Sequence, residues 1–152
     1  MKHLAPYAMM LLCLLLATPG FSQNPPSIKP KQFNSYPATI SCTEAELDKV
    51  FGLSSGQPVN FSFSDNFSFG GDVISKVTKY GNLQSAVVKS PFFNNTIFNI
   101  SKRINSDNSV TYIGHIINKN YYDGYELKKK ANGLYQLVKF ETDRVLQDCR
   151  QQ

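Results

Sequence analysis

The chain has 152 residues, of which 16 are Lys or Arg and 11 are Asp or Glu, and its formal net charge is +5. This length fits one ordinary domain and leaves no room for a second. The basic residues are scattered apart from the run at 128–130, so the charge predicts solubility and gives no reason to expect a nucleic-acid partner.

The N-terminus has the order of segments that is typical of a secretory signal. Lys2 precedes an apolar run at 8–17, AMMLLCLLLA, which Pro19 and Gly20 end. A membrane-spanning helix needs about 20 apolar residues, so this shorter run predicts cleavage, after Ser22, and no stable membrane insertion. We expect a secreted or periplasmic protein whose net charge falls from +5 to +4 when the lysine of the signal is removed.

The cysteines predict one disulfide bond. Cys13 lies inside the signal, and the bulky Met10–Leu12 before it does not suit a lipid-anchored N-terminus. Cys42 and Cys149 remain, in a compartment where disulfides form and persist. A bridge between them would stabilise the fold by about 4 to 5 kcal/mol, because it closes a long loop in the unfolded chain.

A metal site and a redox dithiol are the alternatives for these two cysteines. The chain has no CxxC pair, and His115 is the only histidine after the signal. We therefore expect an intramolecular bridge, with no metal ion and no other cofactor.

The first predicted element after the signal is a proline-rich linker or tail at 23–41, with a possible edge strand near Ile40. The folded domain is expected to begin near Cys42 and to continue to residue 152. Thr43 and Glu46 form a capping box, which predicts a helix over 44–51 that Gly52 ends.

Alternating apolar and polar residues then predict a series of strands separated by short turns. The strands are expected at 59–64, 67–80 with a bend at Gly70 and Gly71, 83–89, 96–104, 110–117, around 125–127, and 134–140. Hairpin turns are expected at Gly81 with Asn82 and at Asn132 with Gly133. Thr142 can cap a last short helix that ends at Cys149.

Strands joined by short turns must be antiparallel neighbours. The sequence therefore predicts an α+β, mainly β fold, in which an antiparallel meander of about seven strands forms a strongly curled sheet or a partly closed barrel. The first helix is expected to pack on the concave side or to plug one end.

No residue pattern predicts a catalytic site. A zinc protease needs two histidines, and no GxSxG elbow is present for a serine hydrolase. A cysteine nucleophile would need a free Cys42 or Cys149 beside His115, which export disfavours. Carboxylates are the remaining option for hydrolysis, but each candidate lies at or beside a predicted turn, where Asp is common for its own hydrogen bonding: Asp65, Asp72, Asp123 and Glu126.

Four N-x-S/T sequences begin at Asn60, Asn66, Asn94 and Asn99. Three of them lie in or beside predicted strands, so we attribute them to a composition rich in Asn and Ser, and we favour a bacterial origin.

Aromatic residues in two polar loops are the remaining functional signal. Phe92 and Phe93 follow a proline, and Tyr121, Tyr122 and Tyr125 crowd a second loop. Such residues either fold back over an open end of the sheet or contact a partner. We expect a non-enzymatic binding domain for an unknown protein or small-molecule ligand. The alternatives are a peptidase inhibitor or propeptide-like regulator that uses the loop SPFFNN at 90–95, and a small carboxylate-based hydrolase.

Overall fold

The computed structural model describes residues 29–142. The predicted signal peptide, Cys149 and the helix predicted after Thr142 lie outside the described residues. In chain order the elements are β1 Thr39–Cys42, α1 Glu44–Asp48, a 3-10 helix Lys49–Gly52, β2 Pro58–Ser64, β3 Phe67–Lys79, β4 Leu83–Ser90, β5 Thr96–Ile104, β6 Val110–Ile117, β7 Asp123–Lys129 and β8 Tyr135–Glu141.

The eight strands form one antiparallel sheet in the order β1-β8-β7-β6-β5-β4-β3-β2. From β2 to β8, each strand pairs with the next along the chain. Strand β1 is the exception, because it pairs with β8 and so brings the two ends of the sheet towards each other. The result is a nearly closed barrel, which confirms the predicted antiparallel meander with one strand more than expected.

Period-two alternation builds the interior of the barrel. In β2, Val59, Phe61 and Phe63 are buried while Asn60 and Ser62 are exposed. Removing one large apolar side chain from water contributes about 1.5 to 3 kcal/mol, so these inward rows dominate the stability of the sheet. The interior is rich in aromatic rings, and the largest fully buried side chains are Tyr125, Tyr135, Phe33, Phe61, Phe67, Phe69 and Phe98.

The predicted helix over 44–51 is present as α1 and the 3-10 helix, and it closes one end of the barrel. Leu47 and Val50 are fully buried. Thr43 Oγ1 accepts a hydrogen bond from Glu46 N at 3.2 Å, as the capping pattern predicts. The Glu46 carboxylate does not complete the capping box, because it accepts instead from Ser62 N of β2 at 2.9 Å.

Asp48 ties this helix to the sheet. The Tyr112 hydroxyl donates to Asp48 Oδ1 at 2.9 Å, and Lys102 forms an ion pair with the same oxygen. Both partners lie on inward positions of β5 and β6, so the helix is fixed over the interior rather than against the outside of the sheet.

Residues 29–38, which we call the plug, close the opposite end of the barrel. The Phe33 ring has no exposure to solvent and packs edge-on against Phe67 and Tyr125, with centroid distances of 6.1 and 5.1 Å. The carboxylate of Asp123 accepts hydrogen bonds from Gln32 N at 2.6 Å and Phe33 N at 3.0 Å.

The plug is also held by a lysine from β8. Lys139 Nζ donates to the carbonyl oxygens of Phe33 and Tyr36 at 2.7 and 2.8 Å, and Tyr125 donates its hydroxyl to Pro37 O at 2.6 Å. The stretch predicted as a linker or tail therefore supplies, from residue 29 onward, a plug and the closing strand. The barrel thus donates hydrogen bonds to backbone carbonyls of the plug, and Phe33 O also accepts a local one from Tyr36 N at 3.0 Å.

The sharp features of β3 differ in place from the prediction. Gly71 faces inward, where a Cβ atom would overlap the carbonyl of Lys89, so the close approach of β4 requires glycine there. The shift in pairing register lies further on, between Val73 and Ser75. In the β3–β4 turn, Tyr80 and Gly81 take positive φ values of 55° and 72°, one residue earlier than expected.

Candidate binding surface

The five loop aromatics, which were candidates for covering an open end of the sheet or for contacting a partner, have different environments. Phe92 is 82% exposed to solvent. Phe93 packs on the core cluster, and Tyr125 lies fully inside it. Tyr121 and Tyr122 are partly buried. Of the five, Phe92 alone projects its ring into solvent.

The residue after Phe92 anchors the loop. The Phe93 ring stacks on Phe69 with a centroid distance of 5.6 Å and an interplanar angle of 9°. Its carbonyl oxygen accepts hydrogen bonds from Thr96 N at 2.9 Å and from Gln32 Nε2 of the plug at 2.7 Å. The β4–β5 loop is therefore attached to the core and to the plug.

The next residues of this loop form a tight turn with its own side-chain hydrogen bonds. Asn94 and Asn95 have positive φ values of 50° and 62°, a conformation that asparagine tolerates better than most residues. Asn94 O accepts from Asn118 Nδ2 at 2.9 Å, and Asn94 Nδ2 donates to the Tyr121 hydroxyl at 2.6 Å. Phe92 is thus presented by an ordered loop, which lowers the entropy lost on binding.

The Phe92 ring stands over the outer face of β2 and β3. A Cβ atom at Gly70 would lie 3.8 Å from two carbons of this ring and 3.2 Å from Asn60 Oδ1, so the glycine leaves room for the ring. A groove of about 510 Å³ extends on one side towards the β2–β3 turn, and a groove of about 580 Å³ extends on the other side towards Pro58 and Pro91.

We call the groove of about 510 Å³ the turn groove and the groove of about 580 Å³ the strand groove. The two grooves and Phe92 together form the Phe92 surface. Asn60, Gly70 and Phe92 line both grooves.

Polar side chains surround the ring on both sides. Asp65, Asn66 and Ser68 line the turn groove, Asp72 lines the strand groove, and Asn60 lies between them. Within residues 29–142, the side chains of these five make no hydrogen bond or ion pair with the protein. Their oxygen and nitrogen atoms are therefore open to water or to a ligand.

The charge of the Phe92 surface differs from that of the chain. The two grooves are lined by two carboxylates and, among the described residues, by no Lys, Arg or His. The Phe92 surface of a chain with a net charge of +5 thus carries a negative charge of its own.

The carboxylates considered for hydrolysis are not brought together. Asp65 and Asp72 lie in different grooves, separated by about 15 Å or more of extended chain along β3. Asp72 on β3 and Glu126 on β7 are four strands apart, about 19 Å along the sheet. Glycoside hydrolysis needs two carboxyl groups roughly 5 to 9.5 Å apart. Asp123 is only 2% exposed and holds the plug.

His115 lies on the outer face of β6, beside a smaller cavity of about 200 Å³. Its Nε2 is 3.9 Å from Glu126 Oε1, and its ring meets Phe140 edge-on at 5.9 Å. Glu126 also pairs with Lys128 at 2.8 Å, so its charge is already shared. The Thr142 hydroxyl, which also lines this cavity, donates to backbone carbonyl oxygens at 2.9 Å.

Cys42 faces the barrel interior, is 5% exposed and has no disulfide partner within residues 29–142; as a thiol, its Sγ donates to Ile40 O at 3.6 Å. Burial raises the pKa of this thiol to about 12, which makes it a poor nucleophile at neutral pH. It lies on the opposite side of the sheet from His115, so the two do not form a catalytic pair. Because Cys149 lies outside the described residues, the predicted bridge stays a prediction.

Metal sites and membrane-spanning helices are the two remaining features to look for in the described part of the chain. Across 29–142, no group of three or more His, Cys, Asp or Glu could hold a metal ion. No helix in the same range is long and apolar enough to cross a membrane.

Comparisons with protein families, with curated proteins and with solved structures found no match to this chain.

The sequence pattern identified Phe92 as a candidate partner-contact residue but did not identify the residues around it. Asn60, Ser68 and Gly70 lie on strands, and their meeting with Phe92 depends on the pairing register of β2 with β3. The outward polar positions in the pattern VNFSFS were the one signal that a polar face exists there.

Proposed function

We propose that this protein is a non-enzymatic binding domain that acts outside the cytoplasm, after removal of residues 1–22, and that it holds its ligand on the Phe92 surface. The ligand contacts the exposed ring and the polar side chains of the two grooves. The protein then works by attachment or capture rather than by turnover.

One observation carries the proposal, namely that an 82% exposed aromatic ring is held on an ordered loop between two polar grooves. Exposing a phenylalanine has a solvation cost, and rigid aromatic side chains are the usual anchors of binding surfaces. The neighbouring Phe93 is partly buried against the core, whereas Phe92, on the same loop, has no such contact and stays exposed.

The same geometry gives less support to the two alternatives. A protease cleft binds an extended inhibitor loop through its main chain, whereas the carbonyl of Phe93 is already engaged by Thr96 and Gln32. The loop also curls at Asn94 and Asn95 rather than extending. A hydrolase built on carboxylates has less support, because Asp65 and Asp72 lie in different grooves and Asp123 is buried beneath the plug.

The test is a comparison of Phe92→Ala with Tyr80→Ala in the mature protein. Tyr80 is 90% exposed on the β3–β4 turn, at the other end of the barrel, and is a matched control for loss of an exposed aromatic. Both variants are titrated against immobilised polysaccharides and peptide arrays. We expect Phe92→Ala to weaken whatever binding the wild type shows by at least about tenfold, and Tyr80→Ala to leave it unchanged. Equal binding by wild type and Phe92→Ala, or turnover of any probe, would overturn the proposal.

A further inference from the structure

We infer that the ligand of the Phe92 surface is an uncharged glycan chain that runs through both grooves and stacks a sugar ring on Phe92. This inference rests on the proposed binding function and adds the chemical class of the ligand. A pyranose ring has an apolar face of C–H groups and a rim of hydroxyls. An exposed aromatic ring flanked by polar side chains is complementary to both parts.

The polar side chains match the hydroxyls of a sugar in donor and acceptor character. Each hydroxyl can donate one hydrogen bond and accept two. The amides of Asn60 and Asn66 donate and accept, the carboxylates of Asp65 and Asp72 accept, and Ser68 does both. Since these side chains have no partner in residues 29–142, a ligand gains their hydrogen bonds without breaking any within the protein.

Charge argues for a neutral ligand. An anionic ligand needs a cation, and no Lys, Arg or His among the described residues lines either groove. A cationic ligand meets the long-range repulsion of a mature chain whose net charge is +4, that is, +5 less the charge of Lys2. It would also leave unused the N–H donors of Asn60 and Asn66, because a cationic group has no acceptor to offer them.

A peptide is the competing ligand at these grooves. A bound peptide strand draws its affinity from main-chain hydrogen bonds to an open sheet edge. β3 pairs with β2 over 67–72 but with β4 only from Asp72 onward, so its residues 67–71 leave one such edge beside the turn groove. The unpaired side chains and the exposed Phe92 ring favour a glycan, which needs no backbone partner, and the peptide arrays used to test the binding function separate the two ligands.

The continuity of the two grooves indicates a chain rather than a single sugar. Asn60, Gly70 and Phe92 belong to both grooves, so a ligand that stacks on the ring continues into each of them. Together the grooves enclose about 510 and 580 Å³ of space, and their far ends are marked by Asp65 and Asp72. We expect longer oligosaccharides to bind more tightly than a monosaccharide.

The experiment measures binding of the mature protein to cellulose, chitin, curdlan, mannan and starch, with heparin, polygalacturonate and an oligolysine peptide as charged probes. Phe92→Ala tests the ring, Phe92→Trp tests rescue by another aromatic ring, and Tyr80→Ala is the control. We expect binding to at least one neutral polysaccharide, a loss of about tenfold or more in Phe92→Ala, and retention in Phe92→Trp. We also expect less than about a twofold change between roughly 50 and 500 mM NaCl, because no ion pair is formed.

Two results separate this inference from the function on which it rests. Phe92-dependent binding that is confined to a charged polysaccharide or a peptide, or that weakens steeply with salt, overturns the neutral glycan and leaves the binding function standing. Binding to no neutral polysaccharide also overturns the glycan. Binding that Phe92→Ala does not change, on any probe, overturns both.

Discussion

Asp123 is the residue on which the N-terminal end of the barrel depends. Its carboxylate is 2% exposed and accepts two backbone hydrogen bonds, from Gln32 N and Phe33 N. Hydrogen bonds to a charged acceptor contribute about 1.5 to 3 kcal/mol, and a buried donor left without a partner costs about as much. A carboxylate fits here because both partners are donors.

We therefore predict that Asp123→Asn lowers the free energy of unfolding by about 2 to 4 kcal/mol. The asparagine amide can accept only one of the two bonds and turns its NH₂ group towards the other N–H. Urea denaturation measures the change, with Asp65→Asn, an exposed carboxylate without a protein partner, as the control at under about 0.5 kcal/mol. If both variants lose the same free energy of unfolding, the two hydrogen bonds that Asp123 accepts contribute nothing to stability.

A second question at the scale of single residues is whether Cys42 can form the predicted bridge to Cys149. It pairs with Tyr135 at the start of β8, whereas Thr142 follows the end of that strand, about 20 Å away. Cys149 is the seventh residue after Thr142, and a span of seven residues covers about 10 Å as a helix and about 25 Å when fully extended. A helix over 143–149 and a Cys42–Cys149 bridge are therefore mutually exclusive expectations.

Thiol titration decides between them. In a Cys149→Ser variant we expect Cys42 to be unreactive towards a disulfide reagent at pH 8 until the protein is unfolded, because it is buried and its pKa is raised to about 12. Rapid reaction of the folded variant would contradict this burial. In the wild type, unfolded without reductant, the bridged form gives no reactive thiol, and two reactive thiols would show that the bridge is absent.

At the scale of elements, the short helix α1 depends on Thr43, the N-cap residue that precedes it. Five residues of α1 are too few to be stable alone, so capping and packing must hold it. Thr43 Oγ1 accepts from Glu46 N, which satisfies one of the free N–H groups at the helix start.

We predict that Thr43→Ala lowers the free energy of unfolding by about 1 kcal/mol, while Thr43→Ser, which keeps the hydroxyl, loses less than half of that. Thermal and urea unfolding report the difference. If the alanine and serine variants are equally stable, the cap is not what fixes this end of the barrel.

The strands were predictable to different degrees for a physical reason. The bounds of β5 and β6 match the expected 96–104 and 110–117, because one face of each is buried and alternation marks that face. The plug was not predictable, since four prolines between 23 and 41 indicate extended chain and only the finished barrel buries Phe33. For the candidate site, sequence cannot tell Phe92 from Phe93, because their difference arises from Phe69 on another strand.

For the whole molecule, the filled interior leaves the outside of the barrel as the place for the proposed ligand contact. The helix closes one end and the plug closes the other, with aromatic rings between them. The same burial leaves ionisable groups inside. Burial raises the pKa of Cys42 and of Tyr125 to about 12, and burial together with a hydrogen bond to Asp48 raises that of Tyr112.

These raised pKa values predict a loss of stability in alkaline solution. The folded protein keeps all three groups neutral, while the unfolded chain releases the Cys42 proton near pH 9.0 and the tyrosine protons near pH 10.0. Their contribution is therefore fully present below about pH 9 and is lost as pH rises towards about 12. The thiol alone removes up to about 1.4 kcal/mol per pH unit above pH 9, before the tyrosines add to the slope.

The contribution of the thiol is isolated by Cys42→Ala in a Cys149→Ser background, compared with Cys149→Ser alone. Urea denaturation at a series of pH values from about 7 to 10 gives the free energy of unfolding of each. The alanine leaves a cavity and lowers stability at every pH, so the comparison is between slopes and not between absolute values. We expect the slope between about pH 9 and 10 to be shallower in Cys42→Ala by about 1 kcal/mol per pH unit. If the free energies of unfolding of the two variants fall in parallel with pH, the thiol ionises equally in the folded and unfolded states. Water would then reach Cys42 in the folded barrel, where the two ends of the sheet, β1 and β2, meet without pairing.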